Sequence, residues 1–128
     1  MSEQTGSPNL PTWQKNFLLD IDGFISADVS NDRPDLMITA QPKMKAVNWV
    51  NQMFQEGHII TFWTSRLKKE HGEITLNWLR ENRVPFQDVI FGKPRGGNYC
   101  YVDDKSIKSI QCDGSFVPDF SEMEVTVS

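Results

Sequence analysis

Four polar clusters in this chain could do chemistry together, because each follows a run of apolar residues: Asp20-Ile21-Asp22-Gly23, Thr64-Ser65-Arg66, Gly92-Lys93-Pro94 and Asp103-Asp104. Carboxylates crowded onto one rim resist joint ionisation, and a hard divalent cation relieves that repulsion. Oxygen donors with positions left for water and substrate suit Mg²⁺ better than a transition metal. The expected ligands are therefore Asp20, Asp22, Asp103 and Asp104. Lys93 adds a cation, and Thr64 a hydroxyl with Ser65 beside it, so the expected guest is a phosphoryl group with its spread negative charge. Asp20, at the end of its apolar run, is placed to attack phosphorus. Asp22, two residues on, is placed to protonate the leaving oxygen and later to activate water. Gly23 frees the backbone for a sharp turn that brings N–H groups toward the phosphoryl oxygens. Arg66 and Arg95 are candidate substrate contacts. For Arg66, as for Lys68 and Lys69, a solvated loop face is an equal reading, whereas Arg95 has the better claim because it adjoins Lys93.

Those clusters need elements to hold them. Residues 16–21 form a short apolar run ending in acid, which suits a strand of a parallel sheet. From Gly23 to Gln41 the pattern breaks, with Asn31-Asp32 and Pro34 as turn signals, and predicts a loop or small β excursion. A helix follows: Pro42 suits its first turn, Ala46, Trp49, Val50, Met53 and Phe54 recur at helical spacing, and Gly57 stops it. Residues 58–63 predict a second strand and 70–81 a second helix, burying Ile74, Trp78 and Leu79. Residues 88–91 predict a third strand and 99–102 a fourth, with a weak fifth over 109–112. Strands alternating with helices imply right-handed crossovers and a mainly parallel, Rossmann-like sheet covered on both sides, an α/β/α three-layer sandwich. In such sheets functional groups gather outside the carboxyl ends of the strands, which is where all four clusters fall.

The chain has 128 residues, the size of one domain. The expected division is a lead-in over 1–14, a domain over 15–117 and an acidic tail over 118–128. A hydrophobic fraction of 38%, with four Trp and eight Phe, is enough for a core and argues against wholesale disorder. The net charge of −4 counts against a nucleic-acid-coating surface. With no long apolar stretch and a polar N-terminus, no membrane partner is expected and a cytoplasmic location is. The two cysteines lack metal-ligand spacing, and Cys100 reads as a small buried hydrophobe inside the fourth strand. His58 reads as structural, His71 as a surface residue at a helix start, and Trp49, Trp63 and Trp78 as core.

The clusters, in this order, resemble the four motifs of the haloacid-dehalogenase-like (HAD) phosphatase superfamily. The resemblance runs from Phe17 to Ile107, with Asp20-Ile21-Asp22-Gly23 as the first motif, Thr64 as the second, Lys93 as the third and Asp103-Asp104 as the fourth. A looser likeness, carried by Gly57-His58-Ile59-Ile60 through Thr64-Ser65-Arg66, then Phe91-Gly92-Lys93-Pro94 and Val102-Asp103-Asp104-Lys105, is to small phosphatase-like proteins linked with capsule or surface-sugar biosynthesis. The resemblance implies a Mg²⁺-dependent phosphomonoesterase acting on a small phosphorylated substrate, first of all a sugar phosphate, through an aspartyl-phosphate. It implies Asp20 as nucleophile and Asp22 as acid and base, with Thr64 and Lys93 on the phosphoryl group. It implies Mg²⁺ on Asp20, the Asp22 carbonyl and Asp103, with Asp104 as a further or water-mediated ligand. Phe24 stands where the family usually has Thr or Val, and is expected to narrow the mouth of the site or to shift the turn. Neither Gly23–Pro42 nor Thr64–Lys93 leaves room for the cap domain many relatives carry, so an open, capless site is expected. Such a site suits a large substrate or a homo-oligomer whose neighbour acts as the lid.

An Asp-x-Asp-Gly alone is a common strand-to-turn sequence, and Thr64, Ser65 or Asp104 alone is equally a capping residue. The order of all four clusters carries the reading. Two alternatives share its chemistry: a 3′-phosphatase of nucleic-acid ends, disfavoured by the acidic charge, and a homologue that binds a phosphorylated ligand without turnover. A signalling receiver domain also sets Asp, Thr and Lys around Mg²⁺. It needs an acid ending a middle strand, where this chain has Thr64.

Overall fold

The computed structural model describes residues 9–115. The proposed tail over 118–128 and the first eight residues of the lead-in lie outside the described residues.

The chain runs β1 (Asn16–Leu19), α1 (Pro34–Ile38), α2 (Met44–Gln55), β2 (Ile59–Thr64), α3 (Lys68–Glu81) and β3 (Asp88–Phe91). The three strands form one parallel sheet in the order β1-β2-β3. Its register pairs Leu19 with Phe62 and Phe62 with Val89. Strands laid down in sequence order with right-handed crossovers put their connecting helices on the same face. The core lies there: Phe17, Leu19, Ile60 and Phe62 pack with Ala46, Val50 and Met53 of α2 and Trp78 and Leu79 of α3. Trp49 is the aromatic hub, with Phe17 edge-on at 5.0 Å and Phe24 at 6.4 Å between ring centroids. Ile60 is fully buried on the central strand. Ile60→Val removes one methyl group from that packing and is expected to cost about 1 kcal/mol, read as a lower urea midpoint at unchanged slope.

Alternation along the strands sends the intervening side chains to the opposite face. Leu18, Trp63 and Ile90 stand there, each partly exposed. Trp63 is therefore not a core residue, although Trp49 and Trp78 are.

The two main helices follow the sequence pattern closely. α2 carries its buried stripe at Ala46, Val47, Trp49, Val50 and Met53. Just beyond its end Gly57 takes φ +94°, a conformation that glycine adopts without strain. α3 buries Trp78 and Leu79 as expected, together with His71, Gly72 and Thr75, whereas Ile74 is only partly covered. The stretch after Gly23 is the expected loop with small β contacts, namely bridges Asp22–Ser26 and Ser26–Pro42. It also holds α1, where Pro34 opens a short helix instead of marking a turn. The lead-in is tied down at its expected end, where Gln14 Nε2 donates to the Gly57 carbonyl at 2.9 Å.

The fourth and fifth strands do not form. Residues 92–115 contain no helix or strand, and Tyr99, Tyr101 and Val102 are exposed. Their polar groups are met locally: the Tyr99 hydroxyl donates to the Pro94 carbonyl, and the Tyr101 hydroxyl donates to Asp103 Oδ2 at 3.2 Å. Cys100 is accordingly exposed, not buried. No described helix is long and apolar enough to cross a membrane.

Candidate active site

Two carboxylates sit where β1 runs out, and each is held by a different cation. Asp20 Oδ1 accepts the backbone N–H of Ile21 at 2.9 Å and lies 3.6 Å from Lys93 Nζ. Lys93 arrives from beyond β3, and its backbone N–H donates to the Thr64 carbonyl at 2.9 Å, which fastens the third cluster to the end of β2. Three of the predicted clusters are thereby brought to one rim. Partial withdrawal from water pushes the Asp20 carboxyl above its ordinary value, against the pull of Lys93.

Asp22 faces the other way. Both of its oxygens accept from Arg66, at 2.9 Å from Nε and 2.7 Å from Nη2. The Arg66 side chain is 2% exposed and that of Asp22 12%. The third arm of the guanidinium, Nη1, donates to Thr75 Oγ1 on α3 at 2.9 Å. Arg66 is thus neither a solvated loop residue nor exposed for substrate: it is the internal clamp of Asp22. A planar fork of this kind fixes a carboxylate in both position and orientation.

The rest of the rim departs from expectation in instructive ways. Thr64 is fully buried, and its Oγ1 accepts the Arg66 backbone N–H at 3.2 Å. Ser65 supports the rim through its carbonyl, which accepts from Asn31 Nδ2 at 3.1 Å. Gly23 has the positive φ expected of it, +88°, but its N–H donates to the Ser26 carbonyl and the next two N–H groups donate to Ile21. In this conformation the turn closes on itself instead of presenting a cradle. Phe24 is buried against Trp49, so it does not narrow the mouth. His71 is buried, not on the surface. Its Nδ1 accepts the Leu67 N–H at 2.9 Å and its Nε2 lies 3.0 Å from the Asn31 carbonyl. His58 is structural as read, its Nδ1 accepting the Lys15 N–H. Arg95 is exposed.

The acidic pair at the fourth cluster is not brought to the rim. Asp103 is turned to its own loop, accepting from the Lys105 N–H and the Tyr101 hydroxyl. The Lys105 N–H is the first of the contacts that hold its carboxyl below the ordinary range. The charges acting on Asp20 are those of Lys93 and Asp22. Among the described residues no three acids, histidines or cysteines come close enough together to hold a metal ion. The four-acid set therefore does not fit Mg²⁺ in this arrangement.

Asn31, Thr75 and His71 form the support of this site, and none is marked by sequence. Trp63, Tyr99 and Tyr101 gather at its other side. The ammonium of Lys93 lies 5.7 Å from the Trp63 ring centroid and 5.3 Å from that of Tyr99, within cation–π range. The one available signal was parity, since alternation along β2 sets Trp63 opposite Phe62.

No protein-family profile and no curated protein matches the chain. Among solved structures it is similar to a target protein from Vibrio cholerae, with a TM-score of 0.55 at 22% identity, covering 71% of this chain and 80% of that one. At that identity the likeness speaks for the fold alone, an α/β arrangement compatible with a Rossmann-like sheet.

Proposed function

We propose that the protein is a phosphomonoesterase of the HAD type, with the capless architecture of small members of that superfamily. The observation that carries the reading is the Asp20–Lys93 pair, a nucleophile-grade carboxylate with a cation 3.6 Å away at the carboxyl ends of parallel strands. An Asp20 oxygen attacks phosphorus, the phosphorus–ester oxygen bond breaks, and the leaving oxygen takes a proton from Asp22. Water then attacks the aspartyl-phosphate, giving its proton to Asp22 and releasing inorganic phosphate. Lys93 offsets the charge on the phosphoryl oxygens throughout, which is where a fixed cation contributes most.

The reading is tested by phosphate release from a panel of phosphomonoesters, with and without Mg²⁺. Release from at least one ester, lost in Asp20→Asn, supports it, and activity that survives that substitution removes it. The rate should also fall on the acid side as Asp20 gains a proton. Because its carboxyl is raised in the folded protein, the acid limb of kcat/KM is expected above the ordinary aspartate value. Lys93→Met removes a lowering influence and should move that limb higher still, and a downward shift would contradict the assignment.

The clamp on Asp22 favours a second reading, the phospho-ligand-binding homologue. With both oxygens engaged by Arg66, Asp22 in this arrangement has no free edge for the leaving group. Saturable binding of a phosphate ester with no turnover over hours would select that reading.

A further inference from the structure

We propose that the open face of the sheet beside Asp20 is a base-binding subsite, and that the ester hydrolysed is a nucleoside monophosphate, not a bare sugar phosphate. This rests on the phosphomonoesterase reading and names its substrate class. Leu18, Trp63, Ile90 and Tyr101 line an open-sided groove of about 240 Å³. The groove is continuous with the reacting end. Register puts Asp20 one step past the Leu19–Phe62 pair, level with Trp63, and alternation puts it on the same face as Leu18. Lys93 joins the two halves: its ammonium is 3.6 Å from Asp20 Oδ1 and 5.7 Å from the Trp63 centroid. A phosphate held by Lys93 and a ring laid against Trp63 are thus close enough to belong to one small molecule, with a sugar as spacer.

The chemistry of the walls selects the guest. Two aliphatic side chains and two aromatic rings offer stacking and apolar contact but no fan of hydrogen bonds for sugar hydroxyls. A nucleobase has a face that stacks on such rings. Polar groups of the base edge can remain in water because the groove is open on one side.

The experiment compares adenosine 5′-monophosphate with ribose 5-phosphate, which share the phosphate and sugar and differ by the base. Initial rates of phosphate release from the intact protein are expected to give kcat/KM about tenfold or more in favour of the nucleotide. Trp63→Ala should bring that ratio down to about one through a raised KM for the nucleotide, each rate being read against the same variant's own ribose 5-phosphate rate. Equal kcat/KM for the two esters, or a ratio that survives Trp63→Ala, overturns the subsite. If neither ester is hydrolysed, calorimetric titration of the same two compounds decides the subsite, and the phosphomonoesterase reading is decided separately by the wider panel. Tighter binding of the nucleotide, lost in Trp63→Ala, supports it; equal or absent binding overturns it.

Discussion

Replacing Arg66 with methionine is expected to destabilise the protein by about 3–5 kcal/mol, the scale seen when one partner of a buried ion pair is removed. The reason is the fate of what remains. Arg66 satisfies both oxygens of Asp22 and the hydroxyl of Thr75, all within a region almost closed to water. Methionine fills much of the volume and none of the hydrogen bonds, so Asp22 is left as an unpaired charge. Urea denaturation of Arg66→Met should show the loss as a shifted midpoint. The double variant Asp22→Asn, Arg66→Met should recover part of it, because the orphaned charge is gone. Arg66→Lys should fall between, since an ammonium keeps the charge but cannot span both oxygens and Thr75. If Arg66→Met and the double variant are equally stable, the clamp is not what holds this end of the sheet.

Asp20→Asn is expected to lower kcat about a thousandfold or more, as loss of a nucleophile does, without unfolding the chain. Its side chain is 47% exposed, so packing depends little on it. The sign of the charge effect also favours the variant. A carboxyl raised in the folded state binds its proton more tightly there than in the unfolded chain. Its contribution to stability is thus greatest below the ordinary aspartate pKa and declines as pH rises through the folded value. Asparagine does not undergo that decline, so at neutral pH the variant should be no less stable than the parent. Lost turnover at retained stability would therefore report chemistry, not folding.

What could be read in advance divides along a physical line. The three strands and the two main helices between Asn16 and Phe91 are legible because their signal is local: continuous apolar runs, a helical stripe, and Gly57 at a helix end; the short α1, opened by a Pro34 that reads as a turn signal, is not. The Asp20–Lys93 juxtaposition is legible for the same reason, once parallel strands set their carboxyl ends on one rim. Long-range partners are not. Arg66 looks like any charged residue after a strand, and only Asp22, 44 residues away, makes it an interior clamp. His71 looks like a surface residue of an amphipathic helix until Asn31 is found against it. Tyr99-Cys100-Tyr101-Val102 has strand composition, but strand formation needs a neighbour to pair with, and here local hydrogen bonds and Lys93 engage the two tyrosines instead. Asp103 and Asp104 follow that segment, so their distance from the rim and the failure of the strand are one event.

The account turns on whether Asp20 takes the phosphoryl group. Rapid acid quenching during turnover of adenosine 5′-monophosphate, followed by peptide mass spectrometry, tests this directly. A phosphoryl group on the peptide carrying Asp20, absent in Asp20→Asn, is the predicted result. Steady release of phosphate with no label on Asp20, and undiminished by its replacement, would contradict it.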